Sequence, residues 1–400
     1  GLTDNQQAVG GAIENVYDSL GPTIDTDFER MVANMFTLGD GDYQNFLNQL
    51  SGAEYAQHLQ SVLWSTRAVN LVITERMECT EGSAYVQTSE AQVDGNTVTP
   101  TADVPMGSTG CFEPGQASIW LRGYGQWTSL DGDNNAPGYD EDQYGILFGA
   151  DYAFNEDWFL GVAGGYFSSN GDFDSWGGRD GSEIDYDGLQ LAAYGGYDNS
   201  VYYLRGVVSY GNYEGDSHRL VAFPGSAAVD PSGDPSADTW SFYGETGYRF
   251  AITDSANLTP FAGLNLATAS LDGFTEDDPQ GTGAALEVHD SDADSVASVL
   301  GVRFDADLAM GSGVFTPVVS VAWMHEFGDT SQEVDMSFAG APSGADFTVE
   351  GSEVARDSVL VDAGAKFALD GNVDFGLFYN GQFNEDYSSN AVTARIGYKF

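Results

Sequence analysis

The sequence predicts an all-β membrane barrel of the outer-membrane type, with twelve antiparallel strands after an α-helical N-terminal segment. Three observations carry this reading. From Ala117 onward, apolar and polar residues alternate with a period of two. The intervals between the alternating stretches are by turns short and long. The final strand stays apolar on one face out to Phe400. A strand that must close against the first one needs this, and the last strand of a soluble sheet does not.

Composition narrows the function classes. There are 61 acidic and 13 basic residues, for a formal net charge of -48. No basic stripe is available to neutralise phosphates, so nucleic acid is excluded as a partner. The charge suits acidic solubilising loops, divalent cations near them and a salty habitat. Glycine is abundant at 51 residues, beside 21 Tyr, 24 Phe and 7 Trp. No run of about 18 apolar residues occurs, so no lipid-facing helix spans a membrane. No signal peptide is visible at Gly1, and in an exported chain that residue is expected to be a processed or truncated end.

Residues 1–51 read as helical. Helical spacing of apolar residues covers Gln6–Leu20 (Val9, Ile13, Val16, Tyr17) and Asp25–Thr37 (Phe28, Met31, Val32, Phe36), with Thr26 or Asp25 as cap, and a third segment covers Tyr43–Leu50. Ala53–Met77 carries no Gly or Pro over 25 residues and would be about 38 Å long. Glu54, His58, Arg67, Asn70, Glu75 and Arg76 are spread along it, so it cannot lie in lipid. It either crosses inside a polar barrel or packs on the other N-terminal helices. Residues 78–116 turn rich in Thr, Ser, Gly, Asp and Pro and form a linker, with a hairpin around Asp94-Gly95-Asn96. A disulfide between Cys79 and Cys111 would enclose 31 residues, suit an oxidising compartment and contribute roughly 3–4 kcal/mol; two unpaired thiols are the alternative. Two cysteines and four scattered histidines do not make a zinc site.

The barrel strands fall near 117–130, 142–154, 158–173, 182–198, 201–215, 237–250, 257–272, 293–309, 313–327, 354–369, 373–384 and 389–400. Short turns (155–157, 199–200, 251–256, 310–312, 370–372) alternate with long acidic loops near 131–141, 174–181, 216–236, 273–292 and 328–353, the rhythm of a barrel with short periplasmic turns and long surface loops. Aromatic residues bracket the strands in two girdles. Phe154, Trp158, Phe159, Tyr197, Tyr202, Tyr203, Tyr248, Phe250, Phe367 and Phe375 lie by the short turns. Trp127, Tyr144, Tyr166, Tyr186, Tyr210, Tyr213, Trp240, Trp323 and Phe327 lie towards the long loops. Charges within strands are costly in lipid, so Arg122, Arg205, Glu245, Arg249, Arg303, Asp305, Asp362, Lys366 and Arg395 are expected to line the lumen and pair across it. In the last strand Val392, Ala394, Ile396, Tyr398 and Phe400 share the lipid face. Arg395 should then meet the helix or an acidic lumenal partner.

Several stretches also resemble the translocator domains of autotransporters. They are Trp323-Met324-His325-Glu326-Phe327, Ser337-Phe338-Ala339-Gly340-Ala341-Pro342, Phe347-Thr348-Val349-Glu350-Gly351, Ala355-Arg356-Asp357-Ser358 and the terminal Ala394-Arg395-Ile396-Gly397-Tyr398-Lys399-Phe400. The resemblance covers about 117–400. It implies a twelve-stranded outer-membrane barrel with an α-helix through its lumen, in the position of residues 52–77. It implies that residues 1–51 are the remnant of an exported passenger. It further implies that Tyr398 and Phe400 form the signal read by the barrel-assembly machinery, with outer-membrane lipids and lipopolysaccharide as surroundings. Two departures stand out: the linker is long, and Arg395 occupies a position that usually holds glycine.

No catalytic or cofactor constellation emerges. His325-Glu326 lacks a second histidine four residues on. Gly215-Asp216-Ser217-His218 sits at a loop edge, and the alternating Asp131/Asp133 and Asp290/Asp292/Asp294 lack the glycine and terminal bidentate carboxylate of a calcium loop. Some members of the resembled family cut themselves at a helix asparagine. Asn70 is the one candidate here, with Glu245 or Asp305 as helpers, but the paired-asparagine motif is absent. The expected function is a translocator and anchor, without enzyme activity or cofactor, whose pore is plugged by its own helix. The competing readings are an outer-membrane channel and an adhesin or barrel enzyme acting through the acidic loops.

Overall fold

The computed structural model describes residues 1–17, 19–20, 24–77, 115, 117–178, 181–199, 201–222, 228–310, 313–368 and 373–399. The expected Cys79–Cys111 disulfide, most of its linker and the terminal Phe400 lie outside the described residues.

Twelve long strands form the barrel: β1 (Ala117–Leu130), β2 (Tyr139–Ala153), β3 (Trp158–Phe173), β4 (Glu183–Asp198), β5 (Tyr202–His218), β6 (Ser236–Tyr248), β7 (Ala256–Leu271), β8 (Ser291–Ala306), β9 (Gly313–Glu326), β10 (Asp357–Ala368), β11 (Val373–Phe383) and β12 (Tyr387–Lys399). Each pairs antiparallel with its successor, and β12 returns to pair with β1. The sheet is therefore closed and leaves no edge for lipid to meet unpaired. Outward side chains such as Phe148, Leu160, Leu191, Leu204, Leu300, Val321, Leu377 and Ile396 are exposed and apolar. A belt this extensive is solvated by acyl chains, not by water.

The inward face explains much of the glycine content. Aromatic rings on one strand lie flat over a glycine of the next. Tyr203 covers Gly247, where a Cβ would stand 2.6 Å from the ring, and Phe261 covers Gly301 at 2.5 Å. Phe167 over Gly188 and Phe378 over Gly364 repeat the arrangement.

The girdle assignment needs correction at four residues. Tyr186 and Tyr213 are only 4 % and 1 % exposed and face the lumen, as do Phe159 and Tyr203. Strand parity decides this: Tyr213 shares its face with Arg205 and Tyr203.

Two long loops are not irregular. They contribute Phe274–Thr275, Leu286–Val288, Glu333–Phe338 and Asp346–Glu350 to a separate four-stranded sheet above the long-loop mouth. The helix α1 (Asp4–Tyr17) packs on the Asp346–Glu350 strand of this sheet, α2 (Asp27–Met35) sets Phe28 against Phe338, and α3 (Asp40–Leu50) packs on α1 and on the short strand Val221–Ala222. A capping box of Thr26 and Glu29 starts α2. The apolar faces of α1–α3 (Val9, Ile13, Phe28, Met31, Phe46, Leu50) join Leu286, Val334, Met336, Phe338, Phe347 and Val349 in one buried cluster. Polar anchors flank it. Asn5 Nδ2 donates to the backbone oxygens of Asn135 and Glu350, at 2.8 and 2.7 Å. Arg219, buried, makes two bonds to Glu276 (2.8 and 2.6 Å) and donates to the α3 carbonyl of Gln49 at 2.6 Å.

Gly247→Ala should force Tyr203 off its seat and cost about 1–3 kcal/mol. The midpoint of heat-induced unfolding of the purified chain, followed by circular dichroism, should fall accordingly.

Candidate functional site: the occupied lumen

Helix α4 (Ala53–Met77) runs inside the barrel. Every residue of it except Arg67 and Leu71 is buried, including Glu54, His58, Asn70, Glu75 and Arg76. Only a polar, enclosed wall makes so many polar groups tolerable on all sides of one helix. Gly52, at φ +64°, makes the bend from α3 into α4; a Cβ there would stand 2.5 Å from Leu286 and 2.9 Å from Met336 of the covering sheet.

The wall meets the helix rung by rung. At the long-loop mouth, Tyr55 Oη donates to Glu276 at 2.7 Å, and Gln57 Nε2 donates to the Pro137 carbonyl and to Ser352 Oγ, at 2.5 and 2.8 Å. Next, Ser61 donates to Glu141 at 2.7 Å and meets Tyr186, while Ser65 meets Tyr213 at 2.6 Å. Arg67 reaches across to Glu326 (2.9 Å) and Ser295 (3.2 Å). Asn70 Nδ2 donates to Ser241 (3.0 Å) and Asn265 (3.2 Å). At the short-turn mouth, Arg76 makes two bonds to Asp151, each 2.8 Å, and one to Ser118 at 2.6 Å. Glu75 accepts from Arg122 and from Thr393, the latter at 2.7 Å.

The structure distributes the nine charged residues expected at the lumen over four groups. Arg122 and Arg395 are buried at the base; Arg395 pairs with Asp374 of β11. Arg205, Glu245 and Arg303 gather around Tyr203. The Arg205 guanidinium lies 3.8 Å from its ring centre, and Tyr203 donates to Glu245 at 2.6 Å. Arg303 donates to Tyr203 Oη at 3.1 Å and stands 3.5 Å from Glu245. Further round the wall, Asp305 accepts from Asn257 at 3.0 Å, Asp362 accepts from Asn380 at 3.0 Å, and Lys366 is buried opposite Thr316. Arg249 lies at the short-turn rim, between strands, paired with Asp198 at 2.5 and 2.6 Å and with its guanidinium 5.1 Å from the Tyr203 ring centre. Tyr398 is exposed on the lipid face of β12. Neither Glu245 nor Asp305 is a hydrogen-bond partner of Asn70, whose amide is held by Ser241 and Asn265. Sequence reasoning missed Asp151, Glu326 and Asp374, which hold Arg76, Arg67 and Arg395, and Glu141, which accepts from the hydroxyls of Ser61, Ser169 and Tyr186. The signal was present in β2, where Glu141, Gln143, Leu147 and Asp151 alternate with outward Tyr144, Ile146, Phe148 and Tyr152.

The helix is off centre. It packs against β4 to β8 and β1 and leaves a side cavity of about 160 Å³ towards β9–β11, lined by Trp64, Leu71, Met324, Leu360, Phe378 and Asn380 among others.

Residues 119–380 match the family model described as autotransporter β-domain. An extracellular serine protease of Serratia marcescens is 27% identical over 359 residues, covering 90% of this chain and 31% of that protein. The esterase EstA of Pseudomonas aeruginosa is 25% identical over 288 residues, covering 72% of this chain and 43% of that protein. The chain thus spans less than half the length of these two relatives. Among solved structures, the translocator domain of NalP from Neisseria meningitidis aligns with a TM-score of 0.57 at 14% identity, covering 72% of this chain and 90% of that one. The β-domain of Bordetella BrkA aligns at 0.53 and 20% identity, covering 71% and 100%. At these identities the structural likeness speaks to fold alone.

Asp151→Ala should leave the Arg76 guanidinium buried without its carboxylate. The loss is about 3–5 kcal/mol, read as a lowered thermal unfolding midpoint.

Proposed function

This chain belongs to the autotransporter family, and on that premise we propose that it exports and anchors a larger passenger whose upstream part is the working domain. The barrel fold implies the bacterial outer membrane, and the β-domain is the non-catalytic part of such proteins. Two relatives are named as a protease and an esterase, which supports a hydrolytic passenger. The observation that carries the reading is α4. It enters at the long-loop mouth and ends at the short-turn mouth, bonded to the wall at every level. A chain drawn outward through the barrel and stopped would leave such a segment behind, and that segment then serves as the plug. Tyr398 and Phe400 at the end of the chain are the assembly signal in this reading, and lipopolysaccharide meets the outer girdle.

Residues 1–51 take a more specific role than a passenger stub. Their apolar faces are buried on a sheet built from the barrel's own loops. They are the lid of the long-loop mouth, and the passenger would continue from it.

In planar bilayers the intact chain should be nearly closed, and deletion of 53–77 should open it; large steady conductance in the intact chain would instead favour the channel reading. A second outcome concerns the lid. Partial burial, with Glu333, Asp4, Asp133 and Glu353 nearby, holds the Glu350 carboxyl above the usual carboxylate range. A carboxyl raised by docking takes up its proton more readily in the docked state, so docking strengthens as pH falls through the raised value and weakens as pH rises through it. Amide exchange in α1, corrected for intrinsic rates, should slow between about pH 7 and about pH 5.

A further inference from the structure

Eleven of the twelve strand pairs join neighbours in the chain, and only β1 and β12 must find each other across the full length of the sheet. Closing that pair brings the longest loop of the barrel together. Its register sets Arg122 of β1 directly opposite Arg395 of β12, both buried on the lumenal face. Like charges opposite one another weaken a strand pair, and the low dielectric amplifies the effect.

Two carboxylates answer these arginines, and they are not equivalent. Asp374, which pairs with Arg395, belongs to β11, on the same side of the seam as β12. It cannot draw β1 and β12 together. Glu75 can. Its Oε2 accepts from Arg122 Nη1 on β1 and also from Thr393 Oγ1 on β12, the latter at 2.7 Å. Arg122 Nε and Nη2 have no protein hydrogen-bond partner, so its hydrogen bonding rests on Glu75. Next to it on the helix, Arg76 holds Ser118 of β1 and Asp151 of β2.

We propose that Glu75 is a positioning residue that fastens the closing seam. The lumenal helix does more than fill the pore: through one carboxylate oxygen it ties the first barrel strand to the last and offsets the arginine pair that closure creates. The seam is the weakest line of the barrel without it.

Hydrogen exchange by mass spectrometry on the full chain in lipid nanodiscs tests this. Glu75→Gln should raise exchange in β1 and β12 by at least about five-fold, with the β3–β4 hairpin unchanged. Adding Arg122→Gln to that variant removes the uncompensated charge and should bring seam exchange back towards the wild-type rate. Thr393→Val, which keeps the helix carboxylate and its Arg122 partner, should loosen β12 to a smaller degree and serves if Glu75→Gln does not fold. Unchanged seam exchange in Glu75→Gln, a rise of equal size in β3–β4, or no recovery in the double variant would overturn the proposal. The readout is strand exchange and not conductance, so it stands or falls separately from the plug.

Discussion

Lipid offers no hydrogen bonds, so a sheet that crosses it must close on itself, and closure decides the environment of every side chain in the wall. With a period of two, each residue faces either acyl chains or the lumen. Leu121 and Arg122 are adjacent in sequence and end in opposite solvents. A wall that is apolar outside and rich in Glu, Asp, Arg and Tyr inside needs a polar partner in its bore. Helix α4 supplies one, and its own polarity on all sides makes sense only there.

The charge of the molecule is partitioned by the same rule. Arg67, Arg76, Arg122, Arg205, Arg249, Arg303, Lys366 and Arg395 lie in the lumen or at its rim, against a total of 13 basic residues in the chain. Most of the remaining acidic excess therefore faces solvent, along the loops. Six of these, Arg67, Arg76, Arg122, Arg249, Arg303 and Arg395, are held by specific carboxylates, and buried pairs of this kind contribute more to a defined geometry than to net stability. The helix is thus registered along the bore by its ion pairs while small hydroxyls such as Ser61 and Ser65 fit it closely to Tyr186 and Tyr213.

The barrel was legible in the sequence because its elements are long. Strands of 11 to 17 residues give alternation enough repeats to be read, and α4, at 25 residues without Gly or Pro, declares itself as a helix. Where elements are short, the signal fails. The covering sheet is made of pieces of two to six residues, such as Phe274–Thr275 and Glu333–Phe338, too brief for a period to show. Its middle pairing, Leu286–Val288 with Glu333–Phe338, joins two different loops that the barrel holds side by side. The misplaced girdle tyrosines have a different cause. Nearness to a strand end suggests an interfacial position, while parity, which places Tyr213 with Arg205, carries the better information. Arg249 stands between strands, where alternation no longer assigns a face, yet its guanidinium lies 5.1 Å from the ring centre of lumenal Tyr203 while it pairs with Asp198.

Gly52 is the joint between the lumen and its cover. The bend it makes lies beneath Leu286 and Met336, with no room for even a methyl group. Helix on one side of that bend is enclosed by the barrel, and helix on the other side is covered by a sheet whose strands come from loops of the same barrel. One residue thus joins the enclosed helix to the covered ones, and any larger side chain at position 52 would both strain a left-handed backbone and press on the side chains of Leu286 and Met336.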